Sequence, residues 1–330
     1  MNKIKLAVGY GSICGGCDVA FTDVGVKLAE VSEIADIVYW PAVMDGKNAQ
    51  LEKIPEIDIG MIFGAIRTEE HERMAKLLRE KSDTLVAFGA CACYGGIPGL
   101  GNVETKEKLL KAAYWETPST ETRVIPGFQE IEGGKITLTA LKDYVSAPTD
   151  VVDFDVLVPG CPPPVESVEQ LIETLKDYYK GHKIPKGFVI AEDKSLCEYC
   201  KREKPEKISL TEIKRVHEAE INDEECLLKQ GILCLGPVTR GGCHPDGARC
   251  VEKNMPCRGC FGPIPNVRDP GTKFLSTIAS AIMAEKEKEV GEEALQKFID
   301  DNIFDPVGLF YRFALAVSIF NRKYLEEQER

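Results

Sequence analysis

Cysteines are the residues of this 330-residue chain whose number and spacing suit chemistry. Four are dispersed over the first half, and eight lie within a stretch of sixty-four residues in the second half. The first set is Cys14, Cys17, Cys91 and Cys161, and the second is Cys197, Cys200, Cys226, Cys234, Cys243, Cys250, Cys257 and Cys260. Four thiolates hold one cubane iron–sulfur cluster, so twelve predict three [4Fe-4S] clusters in a row that conducts electrons. Cys93 is left over and is interpreted as a buried structural thiol.

The Cys-x-x-Cys spacing alone also occurs in zinc sites and redox disulfides. Three features favour clusters: the cysteines come in multiples of four without a histidine run beside them, close pairs such as Cys257 and Cys260 lie in irregular chain, and glycine and proline flank them. A zinc-stabilised scaffold that binds partners remains an alternative, as does an iron–sulfur carrier of another complex. The sequence contains no Walker loop and no Gly-x-Ser motif with a triad, and no catalytic acid or base is identified in it.

The pattern of apolar residues predicts the strands and helices that could position the first set of four cysteines. Short apolar runs typical of strands occupy residues 3–10, 37–43, 57–63, 84–88 and 156–158. They alternate with helical patterns, of which 68–81 and 164–180 are the clearest, and Asp18 is expected to cap a helix that runs to about residue 31. This alternation predicts parallel β-α-β units and a flavodoxin-like, doubly wound α/β sheet.

The four dispersed cysteines follow the ends of these strands. Cys14 and Cys17 come after the first strand, Cys91 after the fourth and Cys161 after the fifth. Because ligands of such sheets bind outside the carboxyl ends of the strands, the four side chains are expected to form one site. Glycines at positions 15, 16, 95 and 96 are expected to let the backbone approach an inorganic cofactor closely.

Two domains are expected from the change in sequence pattern. Residues 1–190 would form the flavodoxin-like domain, and residues 191–330 an irregular iron–sulfur domain with C-terminal helices. Those helices are predicted at 272–288, 292–299 and 306–327.

Two segments have little regular pattern. Residues 99–150 are interpreted as a long insertion with a small hairpin near 123–139. Residues 193–269 have little periodic apolar pattern apart from a helical piece near 210–217. A small hydrophobic core is therefore expected there, with metal cross-links supplying the missing folding energy.

The formal charge of −12 makes nucleic acid and anionic membranes poor partners. No apolar run approaches the roughly 18 residues needed to span a bilayer, so no membrane span is expected. The N-terminal residues lack the pattern of a signal peptide. The chain has thirteen cysteines, an odd number that fits a closed disulfide framework poorly. The protein is therefore expected in the cytoplasm, where thiols stay reduced.

From Cys14 to Cys260, the chain resembles the small, electron-transfer subunit of [NiFe]-hydrogenases. Cys14-Gly-Gly-Cys17 looks like the first cysteine pair of that family. Gly89-x-Cys91-x-x-x-Gly95-Gly96 and Gly160-Cys161-Pro162-Pro163 are similar to its Gly-x-Cys-x-x-x-Gly-Gly and Gly-Cys-Pro-Pro motifs. Gly236-Pro237-Val238-Thr239 and Cys257-Arg-Gly-Cys260 look like parts of its Cys-x-Gly-Pro-x-Thr and Pro-Cys-x-Gly-Cys stretches.

The resemblance implies three [4Fe-4S] clusters and assigns their ligands. Cys14, Cys17, Cys91 and Cys161 would hold the proximal cluster, next to a Ni–Fe centre on a partner large subunit. Cys243, Cys250, Cys257 and Cys260 would hold the medial cluster. Cys197, Cys200, Cys226 and Cys234 would hold the distal cluster. The implied activity is transfer of electrons from hydrogen oxidation on that partner.

Departures from the uptake enzymes of this family indicate a subtype. Cys197 stands where a histidine serves the distal cluster, and Cys250 stands where a proline often leaves the medial cluster with three irons. Cys226 and Cys234 are two residues farther apart than in those enzymes. The Tyr-Gly-Gly-Ile-Pro-Gly-Leu stretch at 94–100 looks most like the cytosolic, coenzyme F420-non-reducing type. That type passes electrons to an iron–sulfur or flavin subunit of a heterodisulfide reductase complex. The F420-reducing type is the alternative.

A respiratory complex I subunit is a further relative. It has adjacent cysteines in its first motif and no domain with eight cysteines. This chain has Cys14-Gly-Gly-Cys17 and does have that second set, so the respiratory subunit is set aside.

Overall fold

The computed structural model describes residues 2–286 and 292–321, which contain ten strands and eleven α-helices. The strands are β1 (Ile4–Tyr10), β2 (Ala35–Tyr39), β3 (Ile57–Phe63), β4 (Ile66–Thr68), β5 (Ser82–Phe88), β6 (Phe128–Ile131), β7 (Gly134–Thr137), β8 (Leu141–Ser146), β9 (Val156–Val158) and β10 (Phe188–Val189). The helices are α1 (Gly16–Thr22), α2 (Lys27–Ile34), α3 (Asn48–Leu51), α4 (Glu69–Lys81), α5 (Ala90–Tyr94), α6 (Lys106–Tyr114), α7 (Val165–Tyr179), α8 (Leu196–Tyr199), α9 (Pro270–Lys286), α10 (Glu292–Asn302) and α11 (Pro306–Phe310).

Six strands form one parallel sheet in the order β10-β9-β5-β3-β1-β2. From the β2 edge, the first five strands (β2, β1, β3, β5 and β9) have the 2-1-3-4-5 arrangement of flavodoxin-like folds. β10 is added at the opposite edge. The predicted fold class is confirmed. β3 has its predicted bounds, whereas β2 ends at Tyr39 because the N–H groups of Val43 and Met44 return to the Trp40 carbonyl in a turn.

Helices cover both faces of this sheet. On one face α7 buries Val168, Leu171, Ile172 and Leu175, which follow the three- and four-residue spacing of a helix stripe. On the other face α4 buries Met74, Ala75 and Leu78. Because burial of each large aliphatic side chain contributes roughly 1.5–3 kcal/mol, these two faces fix the sheet that positions the first cysteines.

The helix predicted to begin at Asp18 begins earlier. Gly15 is the N-cap of α1, and Asp18 lies in its first turn, where it caps nothing. The helical region is also interrupted, since α1 ends at Thr22 and α2 begins at Lys27. The prediction is wrong at this point because Gly15 adopts a left-handed conformation, with φ of +85°, that starts the helix directly after Cys14.

The insertion has the predicted hairpin and more structure besides. β6 and β7 pair within the predicted segment. A helix, α6, and a strand, β8, were not expected, and β8 pairs with β4 beside the main sheet. Asn102 holds the insertion in place through two hydrogen bonds with Val145, in which its amide group donates at 2.8 Å and accepts at 2.7 Å.

The second half contains a larger hydrophobic core than its sequence pattern predicts. Pairs of neighbouring apolar residues in irregular chain, such as Leu227 and Leu228, meet Phe274 of α9 and Phe310 of α11. The expectation of a small core is therefore wrong, because these residues come together across loops without a period that a sequence window detects. No helix forms at 210–215, and only a short 3₁₀ turn lies at Val216–Glu218.

The C-terminal helices are confirmed in part. α9 and α10 lie where predicted, and α11 begins at the predicted proline. α11 is much shorter than the predicted segment, because it ends at Phe310 and turns follow, and the end of that segment lies outside the described residues. Within the described parts of the chain, no helix has the length and apolar character required to cross a membrane.

Candidate metal centres

The sheet-edge group (Cys14, Cys17, Cys91 and Cys161) lies where the sequence predicts. Its members follow the carboxyl ends of β1, β5 and β9. The Cys17 thiol is within electrostatic range of the other three, and Cys91 is within range of Cys161 and Cys14. Cys14 and Cys161 are exposed, so the group opens to the surface.

Two glycines make room for sulfurs of this group. A Cβ on Gly89 would lie 2.6 Å from Cys17 Sγ, and a Cβ on Gly96 would lie 2.5 Å from Cys91 Sγ. Real Cβ atoms essentially never approach another heavy atom so closely. Their positive φ angles, +88° and +53°, also favour glycine.

The expectation for Gly95 is wrong. A Cβ on Gly95 would lie 2.3 Å from the Cβ of Ala316, so this glycine allows the C-terminal segment to pack close to α5. A Cβ on Gly15 would meet no atom within 4 Å apart from its chain neighbours. The role of Gly15 is the left-handed start of α1.

Burial and mutual repulsion raise the pKa of thiols in the sheet-edge group. Burial, followed by the neighbouring Cys161, raises the pKa of Cys91 to about 11. Burial and then Cys91, Cys161 and Cys14 raise the pKa of Cys17 still further. Such thiols become thiolates together only when cations neutralise them, which iron ligation does with release of the protons.

The middle group (Cys243, Cys250, Cys257 and Cys260) lines a cavity of about 470 Å³ together with Cys161. Cys260 is within electrostatic range of Cys250 and Cys243, and Cys257 is within range of Cys260. Burial raises the pKa of Cys257 well above its usual value, and burial followed by the repulsion of Cys250 raises that of Cys260 to about 12. A thiol-lined cavity of this volume has room for a cluster of several metal ions.

The far group (Cys197, Cys200, Cys226 and Cys234) is assembled by α8 and the loops that follow it. Burial and the repulsion of the other three thiols raise the pKa of Cys197 to about 12. The Gly236 backbone passes close to this group, since a Cβ there would lie 3.1 Å from Cys197 Sγ and 3.7 Å from Cys234 Sγ.

Backbone N–H groups donate to sulfurs in all three groups. Ile97 donates to Cys91, Arg249 to Cys243, and Gly236 to Cys234. Hydrogen bonds to ligand sulfurs are characteristic of iron–sulfur sites, where they help to set the reduction potential. The donor sets therefore fit clusters. Among the residues that the structure describes, no three His, Cys, Asp or Glu side chains meet in a way that suits a single metal ion.

Direct hydrogen bonds join neighbouring groups. The Cys161 N–H donates to the Cys260 sulfur, and the adjacent Gly160 N–H donates to the Cys260 carbonyl at 3.2 Å. On the other side, the Cys257 N–H donates to Cys234 Sγ at 3.3 Å. The middle group therefore lies between the sheet-edge group and the far group, and direct hydrogen bonds connect it to both.

Four arginines line the cavity of the middle group, and sequence reasoning missed them. Arg240 pairs with Asp193 at 2.5 Å, and Arg249 pairs with Glu166 at 2.7 Å. The other two are Arg258 and Arg312. The position of Arg258 between two cysteines was the one available sequence signal.

Arg258 and Arg312 lie together without a carboxylate. Burial, and then the Arg312 guanidinium, lower the pKa of Arg258, while the Cys234 and Cys257 sulfurs oppose this effect. Arg258 donates to the Leu233 carbonyl at 3.3 Å, and Arg312 donates to the Gly308 carbonyl at 3.0 Å. In the described ranges neither forms an ion pair with a carboxylate. An anion nearby would stabilise two half-buried cations side by side, and a cluster held by four thiolates would be such an anion.

A fixed carboxylate lies beside the sheet-edge group. Asp18 Oδ1 accepts hydrogen bonds from Tyr10 Oη at 2.5 Å and from Trp40 Nε1 at 2.9 Å. Trp40 Nε1 also lies 2.8 Å from Tyr10 Oη. This network holds a negative charge one residue from Cys17, where sequence reasoning expected only a helix cap.

Cys93 is a buried thiol, as predicted. It is 2% exposed and its Sγ donates to the Ala87 carbonyl at 3.4 Å. Burial raises the pKa of its thiol.

Comparisons with known proteins identify relatives of this chain. A family model described as "NADH ubiquinone oxidoreductase, 20 Kd subunit" matches residues 14–175, a match that ends before the second cysteine set. The chain is 39% identical over 332 residues to the F420-non-reducing hydrogenase iron-sulfur subunit of Archaeoglobus profundus, covering 97% of this chain and 98% of that protein. It is 36% identical to the corresponding F420-non-reducing hydrogenase subunit of Methanothermobacter marburgensis, covering 99% of each.

The fold is also similar to a solved structure. The Actinobacterial-type NiFe-hydrogenase from Ralstonia eutropha H16 matches with a TM-score of 0.50 at 15% identity, over 92% of this chain and 91% of that chain. Sheet, cysteine groups and relatives together define a hydrogenase small, electron-transfer subunit. More narrowly, the chain belongs to the family of F420-non-reducing hydrogenase iron-sulfur subunits. The predicted class of oxidoreductase subunit and the predicted F420-non-reducing type are thereby confirmed.

Proposed function

We propose that this chain carries electrons from hydrogen oxidation at a Ni–Fe centre on a partner large subunit. Hydrogen gives two protons and two electrons there, and the electrons pass singly through three [4Fe-4S] clusters. The sheet-edge group holds the proximal cluster, the middle group the medial cluster and the far group the distal cluster. Electrons leave toward an iron–sulfur or flavin subunit of a heterodisulfide reductase complex.

One observation carries this proposal. Thiols within each proposed set lie within electrostatic range of one another, and hydrogen bonds join the middle group to the other two, which supports three neighbouring cluster sites. The proposed sets are the ones that the hydrogenase motifs imply, and the sheet-edge set draws its members from residues 14 to 161.

The chain's own residues space the clusters, keep water away and set potentials. Cys257 and Cys234 are buried, whereas Cys250 is exposed, so the medial and distal clusters would be shielded from water on one side. The N–H groups that donate to the ligand sulfurs stabilise their negative charge and thereby favour reduction.

The surface of the sheet edge supports a partner there. Val19, Val43, Met44 and Ile97 follow strands at the same edge as the exposed Cys14, and all four are exposed apolar side chains. Exposed apolar side chains at the edge that carries a cofactor site are typical of a protein interface. We propose that the large subunit covers it, so that its Ni–Fe centre faces the proximal cluster.

Two further proposals complete the assignment. The sheet and its cores lie before residue 191 and the second core begins at Leu196, which supports domains at 1–190 and 191–330. All thirteen cysteines are free thiols, which supports a cytoplasmic location, where thiols are kept reduced.

The test is anaerobic purification of the chain through an affinity tag with its natural partners. About twelve irons per chain are expected, four for each cubane, together with a second chain that contains nickel. Hydrogen should then reduce the clusters, as seen by bleaching of their visible absorption. Colourless protein that contains zinc and no iron would mean that the scaffold alternative is right.

The electron acceptor requires its own experiment. The purified complex is mixed with heterodisulfide reductase, and hydrogen-dependent reduction of a heterodisulfide is followed. Cluster reduction by hydrogen without turnover of the heterodisulfide would retain the relay and exclude this acceptor.

A further inference from the structure

Fixed charges differ in sign along the three cysteine groups. Beside the sheet-edge group, Asp18 is held as a hydrogen-bond acceptor by Tyr10 and Trp40. Between the middle and far groups, Arg258 and Arg312 stand together with no carboxylate partner in the part of the chain that the structure describes.

Arg258 is placed to act on two groups at once. It lines the cavity of the middle group, directly follows Cys257, and donates to the carbonyl of Leu233, the neighbour of Cys234. Cys257 and Cys234 are themselves joined by a hydrogen bond of 3.3 Å. Its charge therefore lies at the junction of the proposed medial and distal clusters.

We propose that Asp18 and the Arg258–Arg312 pair make the medial and distal clusters easier to reduce than the proximal cluster, so that protein charge directs electrons outward. This inference rests on the proposed function. Each reduction adds one negative charge to a cluster, which a nearby cation favours and a nearby carboxylate opposes. The electron gained by the medial cluster is the one lost by the proximal cluster, so the charge difference acts directly on that step.

The expected effect is measurable. A unit charge about 10 Å from a cluster, at an effective dielectric constant of about 20, changes the ratio of reduced to oxidised cluster by about tenfold. For a one-electron couple a tenfold change equals 59 mV.

The experiment is a redox titration of the complete hydrogenase complex, followed by electron paramagnetic resonance. Arg258→Gln and Arg312→Gln should each lower the midpoint potentials of the medial and distal clusters and leave that of the proximal cluster nearly unchanged. Arg258→Lys retains the charge and should restore most of the shift. Asp18→Asn retains an acceptor oxygen and should raise the proximal potential alone.

A charge-neutral change near the same cavity is the matched control. Arg240→Gln combined with Asp193→Asn removes one positive and one negative charge from a pair that lies 2.5 Å apart. Because the net charge is conserved, this double variant should move the potentials much less than Arg258→Gln does. If Arg258→Gln prevents cluster insertion, Arg312→Gln provides the measurement, since its known bond is to a carbonyl in its own segment.

The outcomes separate this inference from the proposed function. Wild-type complex without iron–sulfur signals would overturn the proposed function itself. Fully loaded variants whose potentials match wild type, or a proximal cluster that is easier to reduce than the medial one, would overturn only the charge assignment.

Discussion

Replacement of Gly89 by alanine is expected to remove the proximal cluster and leave the other two. The new Cβ would lie 2.6 Å from Cys17 Sγ, whereas ordinary contact begins at 3.4 Å. The sulfur must therefore move by about 0.8 Å, which exceeds the roughly 0.5 Å within which a binding site must hold its geometry. The new Cβ would also lie 3.7 Å from the Gly160 carbonyl oxygen and 3.9 Å from Pro163 Cδ, which limits how far the backbone can yield instead.

A second contribution comes from the backbone. Gly89 has φ of +88° and ψ of 158°, a region that costs a residue with a side chain about 1–3 kcal/mol. Gly133 in the β6–β7 hairpin has φ of +89° and meets no atom within 4 Å. Gly133→Ala therefore reproduces the positive φ without the clash, and the difference between the two variants isolates displacement of the sulfur.

The assay is iron per chain in anaerobic complex, combined with the spin signals of the reduced clusters and a thermal melt. Gly89→Ala should lose about four irons, one cubane, while the medial and distal signals persist. Gly133→Ala should keep its full iron content. If Gly89→Ala bound as much iron as Gly133→Ala, the placement of Cys17 as a ligand would be refuted.

Three further expectations concern single cysteines and pH. Cys250→Pro removes one proposed ligand and should give a three-iron medial cluster with a new spin signal in oxidised protein. The backbone tolerates the change, because the Cys250 φ of −70° suits proline. An unchanged spectrum would contradict the grouping of the ligands. Cys93→Ser should leave iron content near wild type, because this buried thiol already donates to the Ala87 carbonyl, although Cys17 and Cys91 lie within its electrostatic range. Loss of about four irons would make it a ligand. Metal-free chain should lose thermal stability as pH rises from 9 through about 11, because the raised pKa values of Cys91 and Cys234 mean that the folded state retains protons which the unfolded state releases. Iron-loaded chain should lack this transition, and a flat melting curve for the metal-free chain would contradict it.

The sheet could be predicted because its signals are local. Apolar runs and helix stripes repeat with fixed periods, and the predicted helical pattern at 68–81 corresponds to α4, whose N-cap is Thr68. The rule that ligands bind at the carboxyl ends of parallel strands then predicts that Cys14, Cys91 and Cys161 lie together.

Other features depend on contacts between distant parts of the chain. The packing of Gly95 against Ala316 joins residues more than 200 positions apart, so no local pattern could distinguish it from a cofactor contact. The second core arises from apolar residues in loops, which have no period. The pairing state of Arg258 and Arg312 also required the fold, because Arg240 and Arg249 look the same in sequence and yet have carboxylate partners.

The hydrogen bond from Cys257 to Cys234 would couple the proposed medial cluster to the proposed distal cluster. If oxygen removes iron from the proposed medial site and the Cys257 backbone shifts, the Cys234 sulfur at the proposed distal site loses a hydrogen-bond donor. The same holds inward, where Cys161 donates to Cys260. We therefore expect the loss of one cluster to shift the reduction potential of its neighbour while the neighbour keeps its iron.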